Sequence, residues 1–144
     1  MTNHSSLANR NPPQFELSQI QSLVRDLYGL EGRFTALNSE RDLAWLVRNE
    51  EGPQGVIKIS NAQEPEGIVD LQIKAVEHIL EQDPALVVPP VIATRQGKAY
   101  EWITSDLSGD RHMIRLMAFM DGRVVEDTPE AYCDEYYYNI GVTM

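Results

Sequence analysis

The run Gly55-Val56-Ile57-Lys58-Ile59-Ser60 constrains the fold more than any other stretch, because it sets a lysine inside an otherwise apolar, β-branched segment. In a strand, alternate side chains share a face, so Ile57 and Ile59 point one way while Val56, Lys58 and Ser60 point the other. An ammonium in that position needs an anion or a route to water, since burying it with neither is costly. Such a lysine either snorkels from an edge strand or is held for a purpose such as gripping a phosphate.

The flanking segments supply the rest of a sheet. Ser18 and Gln21 have the spacing of a capping box, and Leu17, Ile20, Val24 and Leu27 recur at helical intervals, so a helix is expected from about Ser18, with Gly29 as its stop. Arg33–Leu37, Leu43–Arg48 and the lysine run then read as three strands. The turn segments 38–42 and 49–54 separate them, which makes an antiparallel meander the simplest arrangement. Residues 66–82 read as a long helix with Ile68, Leu71, Ala75, Val76, Ile79 and Leu80 on the stripe expected to pack on the sheet. Asp83-Pro84 ends it. The proline-bearing run 86–92 suits an edge, and residues 99–103 and 111–119 give further strands, the last stopping at Asp121-Gly122. The expected class is therefore α+β: a five-stranded, mainly antiparallel sheet with a long helix packed on it.

Residues 1–14 are polar and carry Pro12-Pro13, which predicts a flexible leader, and residues 15–122 form the expected domain. Residues 123–144, with Pro129 followed by Ala131, Tyr132, Tyr136, Tyr137 and Ile140, read as the start of a helix. At 144 residues the chain is long enough for one cored domain and too short for two ordinary ones.

Charge and cysteine content exclude several functions. A net charge of −10 opposes general binding to nucleic acid or to an anionic membrane. Cys133 is the single cysteine, so neither a disulfide framework nor a thiolate metal cluster is expected, and a cytoplasmic location fits. No apolar run reaches membrane-spanning length, and the first residues lack the pattern of a signal peptide. His4, His78 and His112 form no metal-ligand spacing.

The order of elements, together with Leu27-Tyr28-Gly29-Leu30, Leu37–Asp42, Ile57–Ala62, Asp70-Leu71-Gln72, Val88-Pro89-Pro90 and Arg111–Leu116, resembles the N-terminal lobe of kinase-like phosphotransferases. More narrowly, it resembles the aminoglycoside phosphotransferase family and its hydroxylysine kinase-like branch. The resemblance implies ATP as cofactor, with Lys58 as the lysine that contacts the α- and β-phosphates. It also implies an acid on the following helix that orients this lysine. Gln72 stands where that glutamate is expected and brings no charge, so either Asp70 substitutes or the lysine is held more weakly. The turn Asn38–Asp42 takes the place of the loop over the phosphates. It has no glycine, which leaves side chains such as Ser39 and Arg41 to make contacts, or a loop held further off. Met117–Met120 becomes the hinge, with backbone groups of Ala118 and Met120 toward adenine.

In that family the transfer chemistry belongs to a second lobe, which carries a His-x-Asp loop and the metal-binding acids. The present sequence has no histidine after His112, so no catalytic residue and no metal ligand are assigned, and Mg²⁺ is expected only with the second lobe. The implied partners are a nucleotide and, for the parent enzyme, a small amine-bearing substrate with a hydroxyl group. Self-association through an uncovered lobe face is a further expectation. The competing reading is a non-catalytic acidic α+β module that docks a protein partner.

Overall fold

The computed structural model describes residues 12–121. The first 11 residues, the helix expected around Pro129 to Ile140, and Cys133 lie outside that range.

The order is α1 (Leu17–Tyr28), β1 (Arg33–Leu37), β2 (Leu43–Asn49), β3 (Gly52–Ile59), α2 (Glu66–Gln82), β4 (Val91–Ile92), β5 (Glu101–Thr104) and β6 (Arg111–Met117). The expected α+β class holds, with every strand pair antiparallel. The sheet has six strands rather than five, because the proline-bearing run contributes the two-residue β4. Strands β1, β2 and β3 form the meander. β6 then lies beside β3, and its far edge is shared end to end by β5 and β4.

Alternation along the central strands divides the core in two. Ile57 and Ile59 of β3 join Ile114 and Leu116 of β6, Val47 of β2, and Ile20 and Val24 of α1 in one buried cluster. On the opposite face Met113 of β6 packs with Val69 and Ile73 of α2. The sheet is thus covered by a helix on each side, and a β3 residue of even number faces α2.

Several local expectations are corrected. α1 begins at Leu17 with Glu16 as N-cap and no side-chain cap, so Ser18 lies inside the helix and the capping-box spacing is coincidental. Gly29 does end it, in the left-handed conformation at φ 70°, and its N–H donates to the Arg25 carbonyl. β3 starts at Gly52, three residues before the expected run. A tight turn at Glu50-Glu51 and a register irregularity between Val47 and Arg48 bring Gly52 and Pro53 into the ladder, with Gln54 as the extra, unpaired residue of the strand. The stripe that α2 buries is Val69 and Ile73, with Val76 and Leu80 half-buried, whereas Ile68, Leu71 and Ile79 of the expected stripe are exposed. Within the expected leader, Pro13 is buried and the Gln14 carbonyl accepts a hydrogen bond from the Ser105 hydroxyl.

At Gly55 the β3–β6 contact leaves no room for a side chain, since a Cβ there would meet Leu116 Cδ1 at 2.7 Å and the Met117 carbonyl oxygen at 2.9 Å. Gly55→Val is therefore expected to cost about 1–3 kcal/mol in urea unfolding, by overpacking. A variant with the parental midpoint would show that the strands can separate freely. Burial also raises the Tyr28 phenol to about 12. A raised acid pKa means that the folded state holds the proton more tightly, so this contribution is complete below about pH 10 and is lost as pH rises toward 12. Discounted for partial solvation, it amounts to roughly 1–2 kcal/mol. Alkaline unfolding curves of Tyr28→Phe should be flatter than the parent's over that interval.

Candidate functional site

Lys58 sits on the even-numbered face of β3, toward α2, with its side chain about one-third exposed. It lines a cavity of about 230 Å³ together with Gln72, Ile73 and Val76 of α2, Arg115 and Met117 of β6, and Pro89 and Val91 before and in β4. One wall is cationic and the other apolar. The volume is below the ~300–1,000 Å³ of complete small-molecule pockets, so the hollow matches part of a ligand rather than all of one.

The anion beside Lys58 is neither Asp70 nor Gln72. Lys58 Nζ lies 3.4 Å from Asp42 Oδ2, at the end of the turn that leads into β2. The strand register explains this: Ala44 is paired with Lys58, and Asp42, two residues earlier, is its diagonal neighbour on the same face. The carboxylate is fixed in turn by the Asn61 backbone N–H, which donates to Asp42 Oδ1 at 2.9 Å, while Asn61 Nδ2 donates to the Arg41 carbonyl. The turn that was expected to lie over phosphates is thereby tied to the end of the lysine strand.

Gln72 does reach the cavity, but it serves a different cation. Its Oε1 accepts a hydrogen bond of 3.0 Å from Arg115 Nη2. Arg115 is the cross-strand partner of Lys58 and is only 5% exposed, and burial pulls its guanidinium below arginine's ordinary value against the opposing influence of Asp42 and Glu64. Asp70 lies elsewhere, by Tyr100. That phenol donates to Glu66 Oε1 at 2.6 Å, and Glu66, burial and Asp70 together raise its pKa.

Ser39 is exposed in the β1–β2 turn and does not line the cavity. Ala118 follows β6, and its N–H donates to the Pro90 carbonyl at 2.9 Å, so of its backbone groups only the carbonyl is left for a ligand edge. Met120 is 38% exposed. Of the six residues singled out from sequence, Lys58 and Gln72 share the cavity. Asp42 and Arg115 were missed. The signal for Arg115 was the one used for Lys58, a cation within an apolar alternating strand.

A second hollow, of about 260 Å³, lies at the other end of β6 and is lined by Pro13, Asn61, Gln63, Asp110 and His112 among others. His112 Nδ1 is 2.9 Å from the Ser60 carbonyl, as a donor, and its ring meets Phe15 edge to face. Among the described residues its lining includes an acid, Asp110, and no lysine or arginine.

No family model matches the chain, and no curated protein matches its sequence. Solved structures do match its fold. Amicoumacin kinase hAmiN, in a complex with AMP-PNP, Ca²⁺ and Ami, superposes with a TM-score of 0.72 at 16% identity, over 97% of this chain and 40% of that one. A microcompartment-associated aminopropanol kinase superposes with a TM-score of 0.60 at 14% identity, over 77% of this chain and 34% of that one. The six-stranded antiparallel sheet and its helices match a kinase-like N-terminal lobe, and the neighbours are small-molecule kinases. The chain spans well under half the length of either.

A double-mutant cycle with Lys58→Met and Asp42→Asn, read by urea unfolding, is expected to give a coupling of about 0.5–1 kcal/mol at low salt, shrinking at 1 M salt. Zero coupling at low salt would remove Asp42 from the site.

Proposed function

We propose that the chain is the ATP-binding N-terminal lobe of a small-molecule kinase of the aminoglycoside phosphotransferase type, in its hydroxylysine kinase-like branch. The observation that carries this is the placement of Lys58. A lysine on a central strand, turned toward the long helix and lining a part-apolar cavity next to the segment leading out of β6, is a fixed point charge where a nucleotide's phosphates would rest. The fold shared with two kinases, one of them bound to AMP-PNP, supports the same reading.

In this reading Lys58 holds the α- and β-phosphates, Gln72 borders them, and Ser39 reaches them only if its turn closes inward. The Ala118 carbonyl and the Met120 backbone flank adenine, while Asp70 keeps its place by Tyr100 as a structural residue. Mg²⁺ binding and transfer fall to a second lobe, to which residues 123–144 would lead from the lobe of residues 15–122. The exposed apolar side chains of Leu71 and Val87, at 62% and 75%, support a packing partner for this lobe, whether that second lobe or another copy of the chain. The acceptor we propose for the whole enzyme is a hydroxyl on a small amine-bearing molecule, a class to which aminopropanol, in the name of one structural neighbour, belongs. Its solvent would be the cytoplasm. Among the described residues no helix is long and apolar enough to cross a membrane.

The test is a thermal-shift titration with Mg·ATP. The parent protein should be stabilised by a few degrees at saturating nucleotide, and Lys58→Ala should lose most of that shift. Equal behaviour of the two proteins would overturn the assignment. A turnover assay of the 144-residue chain with ATP, Mg²⁺ and hydroxylysine or an aminoglycoside should give no product, because the catalytic aspartate loop is not in its sequence.

A further inference from the structure

Arg115 is buried and poorly paired. It is a guanidinium 5% exposed in the middle of β6, directly across the ladder from the Lys58 ammonium, so two cations share one face about 5 Å apart at their β-carbons. Like charges placed opposite each other repel, and a buried guanidinium with unmade hydrogen bonds costs more still. Among the described residues Arg115 Nε and Nη1 have no hydrogen-bond partner. The third nitrogen donates to Gln72, which is neutral. Asp42 is paired with Lys58. Asp42 and Glu64 both act electrostatically on Arg115, but among the described residues neither makes an ion pair or hydrogen bond with it, so a cation with unmade donors lines the cavity.

We propose that Arg115 is a second cationic ligand of the site, which with Lys58 forms a two-point clamp for an oligophosphate, and that Gln72 holds the guanidinium in place without neutralising it. The proposal rests on the nucleotide reading only for what the oligophosphate is attached to. A guanidinium presents a planar fork of donors suited to phosphate oxygens, and an ammonium adds a point charge beside it. One anion spanning both relieves the cation–cation repulsion and gives the unmade donors an acceptor. It also accounts for the glutamine. A glutamate at position 72 would pair with Arg115 and cancel the charge that the clamp requires.

The account makes an unusual demand of Gln72→Glu. A glutamate that served to orient Lys58 would tighten ligand binding, whereas here it should weaken inorganic tripolyphosphate by about tenfold, read by calorimetric titration at low salt. Arg115→Met should lose a similar factor or more, while the melting temperature without ligand stays level or rises, because a buried and poorly paired charge has been replaced by an apolar chain. Arg115→Lys should keep part of the affinity. If the methionine variant does not fold, Gln72→Glu and Arg115→Lys decide the matter alone. Unchanged tripolyphosphate affinity in Arg115→Met, or tighter binding in Gln72→Glu, would overturn the clamp.

Mg·ATP run in parallel separates the two readings. A Lys58-dependent ATP shift that survives Arg115→Met leaves the nucleotide reading standing and rejects the clamp. Arg115-dependent tripolyphosphate binding, with ATP no tighter than tripolyphosphate, supports the clamp and rejects an adenine site. Binding of neither rejects both.

Discussion

Two positive charges face each other across the β3–β6 ladder, and much of the structure is arranged around that fact. Lys58 and Arg115 are register partners on the inner pair of strands, under α2. Neither can turn to the opposite face, because Ile57, Ile59, Ile114 and Leu116 on either side of them form a core with α1 that is closed to water. A one-residue slip would put both charges into that core and the isoleucines beneath α2. The register is therefore set by the apolar residues, and the cations follow. What the fold can adjust is their surroundings: among the described residues the direct partners are a carboxylate, Asp42, on Lys58 and an amide, Gln72, on Arg115, with Glu64 adding a more distant negative charge.

Those two groups come from different places for different reasons. Asp42 is carried on the β1–β2 turn, which Asn61 ties to the end of the lysine strand. Gln72 is carried on α2, whose position is fixed by Val69 and Ile73 against Met113. The lysine is thus steadied from the turn side, and the arginine from the helix side. Both supports sit on elements whose own packing is independent of any ligand, as a preorganised site requires.

Much of this was legible in the sequence. Pro65 before Glu66 and Asp83-Pro84 after Gln82 bracket α2 at both ends, and Gly29 marks the end of α1 in a left-handed conformation that glycine adopts without strain. The face of Lys58 followed from period-two alternation alone. The buried stripe of α2 did not, because the helix carries apolar residues on more than one side. Ile68, Leu71 and Ile79 compete with Val69, Ile73, Val76 and Leu80, and only the placed sheet chooses between them. The site partners were hidden for a related reason. That Asp42 neighbours Lys58 depends on the hairpin register, which shifts at Val47/Arg48 where Gly52-Pro53-Gln54 join the strand. That Arg115 faces Lys58 depends on β6 pairing with β3 across a separation of more than fifty residues. Local pattern fixes which side a residue takes, and long-range pairing decides whom it meets there.

The phosphate-bearing ligand we propose would lie on this face of the sheet, between the lysine strand and α2. The most direct measurement is an NMR titration of ¹⁵N-labelled protein with ATP that follows the backbone amides and the Arg115 Nε–H resonance. The account predicts shifts in β3 around Lys58, in α2 around Gln72 and at Arg115 Nε–H, saturating together. Shifts gathered instead around His112, Asn61 and Asp110 at the far end of β6, or none at millimolar nucleotide, would contradict it.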